Sequence, residues 1–127
     1  MVCSYLCGGM NAIKNGATDM DVELRRPDSP QGWGCDDWND IGLYALGHGL
    51  GLSLHDRPFC NQRNVHTGMK PQAFEEGMCL AVELYTGKKG GKDGVPFEEN
   101  ILVTKDGYEL LSLWPIAELM ECWLPYR

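Results

Sequence analysis

Apolar and polar residues alternate most clearly in the second half of the chain. Over 78–85, Met78, Leu80, Val82 and Leu84 fall on one side, while Cys79, Ala81, Glu83 and Tyr85 fall on the other. That period of two is the signature of a β-strand. Over 95–104 the pattern repeats. Val95, Phe97, Ile101 and Val103 share one face, and Glu98, Asn100 and Leu102 share the opposite one. Glu99 falls on the apolar side by this parity and reads as a strand-edge charge, not a ligand. Lys105-Asp106-Gly107 is a tight turn, and 108–113 is the return strand of a hairpin. Upstream, 43–55 alternates leucine and glycine, with leucine at 46, 50, 52 and 54. This predicts a further strand with one buried face.

The first part of the chain follows a different period. Leu6, Met10, Ile13 and then Met20 or Leu24 recur at near-helical spacing, which predicts helix within 5–24. Lys14-Asn15-Gly16 is a helix stop, and Thr18 followed by Asp21 is an N-cap that restarts a short helix. Residues 25–40 form a loop by composition, with two prolines and two tryptophans. Residues 57–72 form a long loop, 86–94 a basic glycine-rich one, and 115–122 a closing helix with proline at its first position. The architecture expected is α+β with a mostly antiparallel sheet, in one domain over 1–127.

Composition narrows the function classes. At a net charge of −7 the chain is a poor partner for nucleic acid or anionic membranes. No stretch approaches the roughly 20 apolar residues of a membrane helix. The N-terminus lacks the basic start of a signal peptide. The six cysteines contain no Cys-x-x-Cys pair, so they read as reduced thiols in a reducing, cytoplasmic compartment.

Three metal-type side chains stand in segments that otherwise read as buried strand: His48 in Gly47-His48-Gly49, Glu83 in Ala81-Val82-Glu83, and Glu98 in Phe97-Glu98-Glu99. Burying a carboxylate is costly unless something compensates it, and one cation could compensate all three. The alternatives are ordinary. A carboxylate on a half-exposed sheet face is served by water, and a strand histidine is commonly structural. His55 lies seven residues after His48, so an ideal strand would place it on the opposite face. A bend at Gly49 or Gly51 would bring the two together. His66 falls in the 57–72 loop, either solvated or part of a site.

These segments resemble those of a known family. Gly47-His48-Gly49-Leu50-Gly51-Leu52, continuing to Leu54-His55-Asp56 and Pro58, is similar to the metal-histidine motif of the creatinase/prolidase/aminopeptidase P metalloenzymes. Residues 76–83 resemble the family's "P-G-M-x-x-x-x-E" strand, 94–100 its "G-V-R-I-E-D" strand, and 103–111 its "V-T-x-x-G-x-E-x-L" hairpin. Residues 12–18 resemble its "A-I-K-P-G-x-T" helix end. The resemblance runs over most of the chain, with the motifs in the family's order.

The resemblance implies the C-terminal half of a pita-bread fold, a curved, mostly antiparallel sheet with flanking helices. It implies His48, Glu83 and Glu98 as metal ligands, Glu98 bridging two divalent ions (manganese, cobalt, iron or zinc) in the full-length enzyme. His55 and Glu83 would be catalytic, and Tyr44, His55 and His66 would contact a small peptide or small-molecule substrate. The reaction implied is hydrolysis of a C–N bond by a metal-activated water, as in Xaa-Pro aminopeptidases and prolidases. The family's two further aspartate ligands lie upstream of the "A-I-K" helix. Asp19, Asp21, Asp36, Asp37 and Asp40 all lie downstream of that point, so the chain is expected to begin past the missing pair and to form a homodimer.

Three substitutions depart from the proline peptidases: Tyr44 for an additional histidine, Leu84 for a proline, and Pro96 for the arginine of "R-I-E-D". The "L-H-D-R-P" and "E-x-Y" details and the 15-residue separation of Glu83 and Glu98 look more like a small-molecule member such as the ectoine hydrolases. A dimethylsulfoniopropionate lyase is a weaker match, because its acidic base has no counterpart at Leu54. An incomplete fragment acting as a binding module is the remaining alternative.

Overall fold

The computed structural model describes residues 2–25, 31, 36, 47–60, 70–87, 92 and 94–113. The closing helix expected over 115–122 and most of the 25–40 loop lie outside the described residues. Among the described residues, two helices, α1 (Val2–Met10) and α2 (Asp19–Glu23), precede five strands: β1 (Gly47–Leu50), β2 (Asp56–Cys60), β3 (Cys79–Gly87), β4 (Gly94–Val103) and β5 (Tyr108–Leu110). The strands form one antiparallel sheet in the order β2-β1-β3-β4-β5. The α+β architecture with a mostly antiparallel sheet is the one expected.

The alternation over β3 and β4 sets the layers. Leu80, Val82 and Leu84 of β3 and Ile101 and Val103 of β4 are buried with Leu6 and Met10 of α1, Ile13, Val22 and Phe74. That core lies on one face of the sheet. Fully burying such a side chain contributes about 1.5–3 kcal/mol. Two side chains share this apolar side without being apolar or exposed. Glu99, expected at a strand edge, is instead only 1% exposed. The reason is topological, since β4 is an interior strand between β3 and β5. Tyr108 of β5 packs against the core, and burial, then the charges of Cys7 and Glu99, push the Tyr108 phenol above the ordinary tyrosine range.

The helical region is shorter than its spacing suggested. After Met10 the bonds tighten from Asn11 N–H to the Cys7 carbonyl (2.9 Å) to the i−3 pattern, Ala12 to Gly9 (3.0 Å) and Ile13 to Met10 (2.9 Å). Residues 15–18 then pair with the end of β4 and with the chain leading into β3 rather than coiling. Asn15 N–H donates to the Thr104 carbonyl, Gly16 N–H to the Phe74 carbonyl, and Phe74 N–H to the Ala17 carbonyl (3.1, 2.9 and 2.7 Å). Gly16 takes a left-handed φ of 82°, which its lack of a Cβ permits. Thr18 is the expected N-cap. Its amide donates to Asp21 Oδ2 (2.7 Å) and its hydroxyl accepts from the Asp21 amide (3.4 Å), a complete capping box.

The segment 43–55 is not one strand. The chain leaves β1 at Leu50, turns through 51–55 and returns as β2, so part of the expected 57–72 loop is also strand. Leu52 and Leu54, expected on a buried face, are 108% and 73% exposed. Glycine decides this. A Cβ at Gly49 would sit 2.3 Å from the Arg57 carbonyl oxygen, and one at Gly51 would sit 2.6 Å from Asp56 Oδ2. The returning strand therefore closes onto the space those side chains would fill. The β1–β2 register shifts between His48 and Gly49, a bulge of the kind that re-aims side chains.

Candidate functional site

The face of the sheet opposite the core carries the candidate residues. His48 of β1 is in register with Ala81 of β3, and Ala81 with Asn100 of β4. The adjacent row pairs Glu83 with Glu98 directly. The parity read from the sequence thus holds for Glu83 and Glu98, and the register adds His48 to the same face of three adjacent strands. On the other side, β1 presents only Gly47 and Gly49 beside Val82 and Leu80. A Cβ at Gly47 would meet the Ala81 carbonyl oxygen at 2.5 Å. Glycines flanking the histidine therefore let β1 press close to both neighbours.

His48 is 5% exposed. Its Nδ1 lies 3.0 Å from the Gly49 carbonyl oxygen. A carbonyl can only accept, so Nδ1 is the protonated donor and Nε2 keeps its lone pair when the ring is neutral. That Nε2 faces Glu83 Oε1 at 3.7 Å. A histidine whose other ring nitrogen donates to a backbone carbonyl is the arrangement metal-binding imidazoles adopt. The ring of His55 lies 4.4 Å from that of His48, centroid to centroid and tilted by 52°. The bend through 51–55 accomplishes this, in place of the seven-residue separation along a straight strand. His55 itself is exposed.

The three ligand candidates are not equally buried. The Glu83 side chain is 13% exposed, whereas Glu98 is exposed, so it is not a buried charge as its apolar flanks suggested. Carboxylates directly opposed on an antiparallel pair repel each other, and among the described residues no lysine or arginine pairs with either. Tyr44 and His66 lie outside the described residues. Asn100 shares the site face, and its side-chain oxygen is shielded from solvent with no hydrogen-bond partner among the described residues. The sequence signal for it was its parity with Glu98.

The donor chemistry suits a divalent ion: one imidazole nitrogen held in the correct tautomer and two carboxylates. Two donors each about 2.1 Å from one ion lie roughly 3–4 Å apart, which the His48–Glu83 separation matches. Among the described residues, however, no three of histidine, cysteine, aspartate and glutamate converge into a group that could hold an ion on their own. The residues present fit part of a divalent-ion site. Cys79, on β3, is a free thiol. Among the described residues no helix is long and apolar enough to cross a membrane.

Comparison with known proteins gives a consistent result. The sequence model of metallopeptidase family M24 matches residues 8–105, which include His48, His55, Glu83 and Glu98. A putative dipeptidase of Bacillus subtilis is 33% identical over 99 residues, 76% of this chain and 23% of that protein. The Xaa-Pro dipeptidase of Pyrococcus furiosus is 30% identical over 107 residues, 81% of this chain and 27% of that protein. The chain therefore spans about a quarter of the length of these relatives. Among solved structures, an Xaa-Pro dipeptidase from Bacillus anthracis superposes with a TM-score of 0.69 at 28% identity, covering 90% of this chain and 29% of that one. The prolidase from Pyrococcus furiosus superposes with a TM-score of 0.66 at 25% identity, covering 87% and 30%.

Proposed function

The chain belongs to metallopeptidase family M24, and we propose that it supplies part of the active site of a metal-dependent hydrolase acting on Xaa-Pro or a related small C–N bond. The observation that carries this reading is the facing of His48 Nε2 and Glu83 Oε1 at 3.7 Å, with Glu98 opposite Glu83. His48, Glu83 and Glu98 would hold manganese, cobalt, iron or zinc. A bound divalent ion would supply a Lewis acid and a water acidified toward neutral pH.

The chain's own groups have separable tasks. The Gly49 carbonyl holds the His48 ring so that Nε2 points toward Glu83. Glu83, partly buried and beside that nitrogen, is the group placed to take a proton from water. His55 is exposed, with its ring 4.4 Å from that of His48, where it can contact substrate and pass a proton to the departing nitrogen. The relatives named Xaa-Pro dipeptidases support a proline-type substrate.

Calorimetric titration of the purified chain with Mn²⁺ and Co²⁺ tests the reading. At least one ion is expected to bind, with His48→Ala and Glu83→Gln each removing it. Absence of binding, or binding indifferent to both substitutions, would overturn it. The second reading, a binding module of the same fold without turnover, is favoured by the lack of a closed three-ligand group among the described residues. Metal binding without hydrolysis of Xaa-Pro dipeptides would select it.

A further inference from the structure

Asn100 occupies the row next to the two glutamates. It is in register with Ala81, and Ala81 with His48, so the three side chains cross β4, β3 and β1 in one line. Glu98 is its same-face neighbour on β4, about 7 Å away along the strand. Ala81, between Asn100 and His48, is fully buried and presents only a methyl group, so no bulky side chain separates the two.

The Asn100 backbone is fixed. Its amide donates to Ser112 Oγ at 2.9 Å, and its carbonyl accepts from the amides of Leu111 at 2.8 Å and Ser112 at 3.4 Å. Its Oδ1 is nonetheless shut off from solvent and accepts no hydrogen bond among the described residues. Buried amide oxygens almost always have a partner. An amide oxygen is also a hard, neutral donor of the kind divalent cations accept beside carboxylates. A neutral donor adds no further repulsion to the opposed pair Glu83–Glu98.

We infer that Asn100 Oδ1 is an additional oxygen donor to the divalent ion held by His48, Glu83 and Glu98. The inference rests on the metal reading above and extends its ligand set. Co²⁺ titrated into the whole chain, followed by calorimetry and by its visible absorption, tests it without any assay of turnover. Asn100→Leu keeps the shape and removes the donor. It should weaken Co²⁺ binding by about 10- to 100-fold and shift the visible bands. Asn100→Asp supplies a charged oxygen and should tighten binding while shifting the bands the other way.

Circular dichroism establishes that each variant folds. A folded Asn100→Leu with native affinity and spectrum overturns the inference while leaving His48, Glu83 and Glu98 as ligands. A native chain that binds no Co²⁺ overturns both. Should Asn100→Leu not fold, Asn100→Asp decides: an unchanged affinity and spectrum overturn the inference, and changed ones support it.

Discussion

His48 Nε2 and Glu83 Oε1 face each other across 3.7 Å with Nδ1 committed to the Gly49 carbonyl. In the neutral ring both facing atoms are electron-pair donors, and only something positive between them makes the arrangement favourable. With Glu98 directly across from Glu83, the metal-free sheet carries a local repulsion. Glu83→Gln and Glu98→Gln should therefore raise the stability of the metal-free chain by up to about 1 kcal/mol, read from urea denaturation with chelator present. The same substitutions should abolish the stabilisation that Mn²⁺ gives the native chain. A drop in metal-free stability for both would contradict this account.

Gly49 tests the close approach of β1 and β2. A methyl group there would lie 2.3 Å from the Arg57 carbonyl oxygen, and backbone cannot step aside as a flexible side chain can. Gly49→Ala should cost about 1–3 kcal/mol, measured as a lowered urea midpoint. Metal affinity should fall with it, since the same strand carries His48.

The capping box of α2 gives an acid dependence. Hydrogen bonds from the Thr18 amide and then its hydroxyl hold the Asp21 carboxyl below its ordinary 3.8. A carboxyl depressed in the folded state stabilises fully above its unfolded value, and that contribution disappears as pH falls through the depressed one. Thr18→Ala should cost about 1 kcal/mol at neutral pH. The difference between variant and native chain should shrink below pH 3.8, as followed by circular dichroism in urea.

Tyr108 gives the opposite dependence at the other end of the scale. Burial, then Cys7 and Glu99, raise its phenol above the ordinary 10.0. The folded chain keeps this proton where the unfolded chain releases it. The stabilisation is therefore complete below pH 10.0 and is lost as pH rises through the raised value. Tyr108→Phe should flatten the alkaline limb of the stability profile above pH 10, compared with the native chain by urea titration at each pH. An unchanged limb would show that Tyr108 ionises alike in both states.

Period-two alternation made β3, β4 and the common face of Glu83 and Glu98 legible, because strands buried on one side repeat their pattern residue by residue. The N-cap at Thr18 was legible because capping depends on side chains only three apart. The turn after Leu50 was not. Its cause is the contact of Gly49 and Gly51 with Arg57 and Asp56, which exists only once the chain has reversed. Alternating leucines carried no sign of it. The burial of Glu99 was missed for a similar reason, since edge or interior position is a property of strand order and not of the strand's own sequence. The proximity of His55 to His48 depended on that same unread turn.

The sheet's division into an apolar face and a polar face couples folding to chemistry. Sliding β4 by one residue past β3 would move Glu98 under α1 and carry Ile101 and Val103 out to water. Each of those apolar side chains holds its place with about 1.5–3 kcal/mol, while the opposed carboxylates push apart with less than about 1 kcal/mol. The greasy side of β3 and β4 thus acts as a gauge for the charged side. It fixes how far apart Glu83 and Glu98 stand, whatever they bind. Substitutions at Leu84 or Ile101 can therefore be expected to detune the site without touching any residue in it.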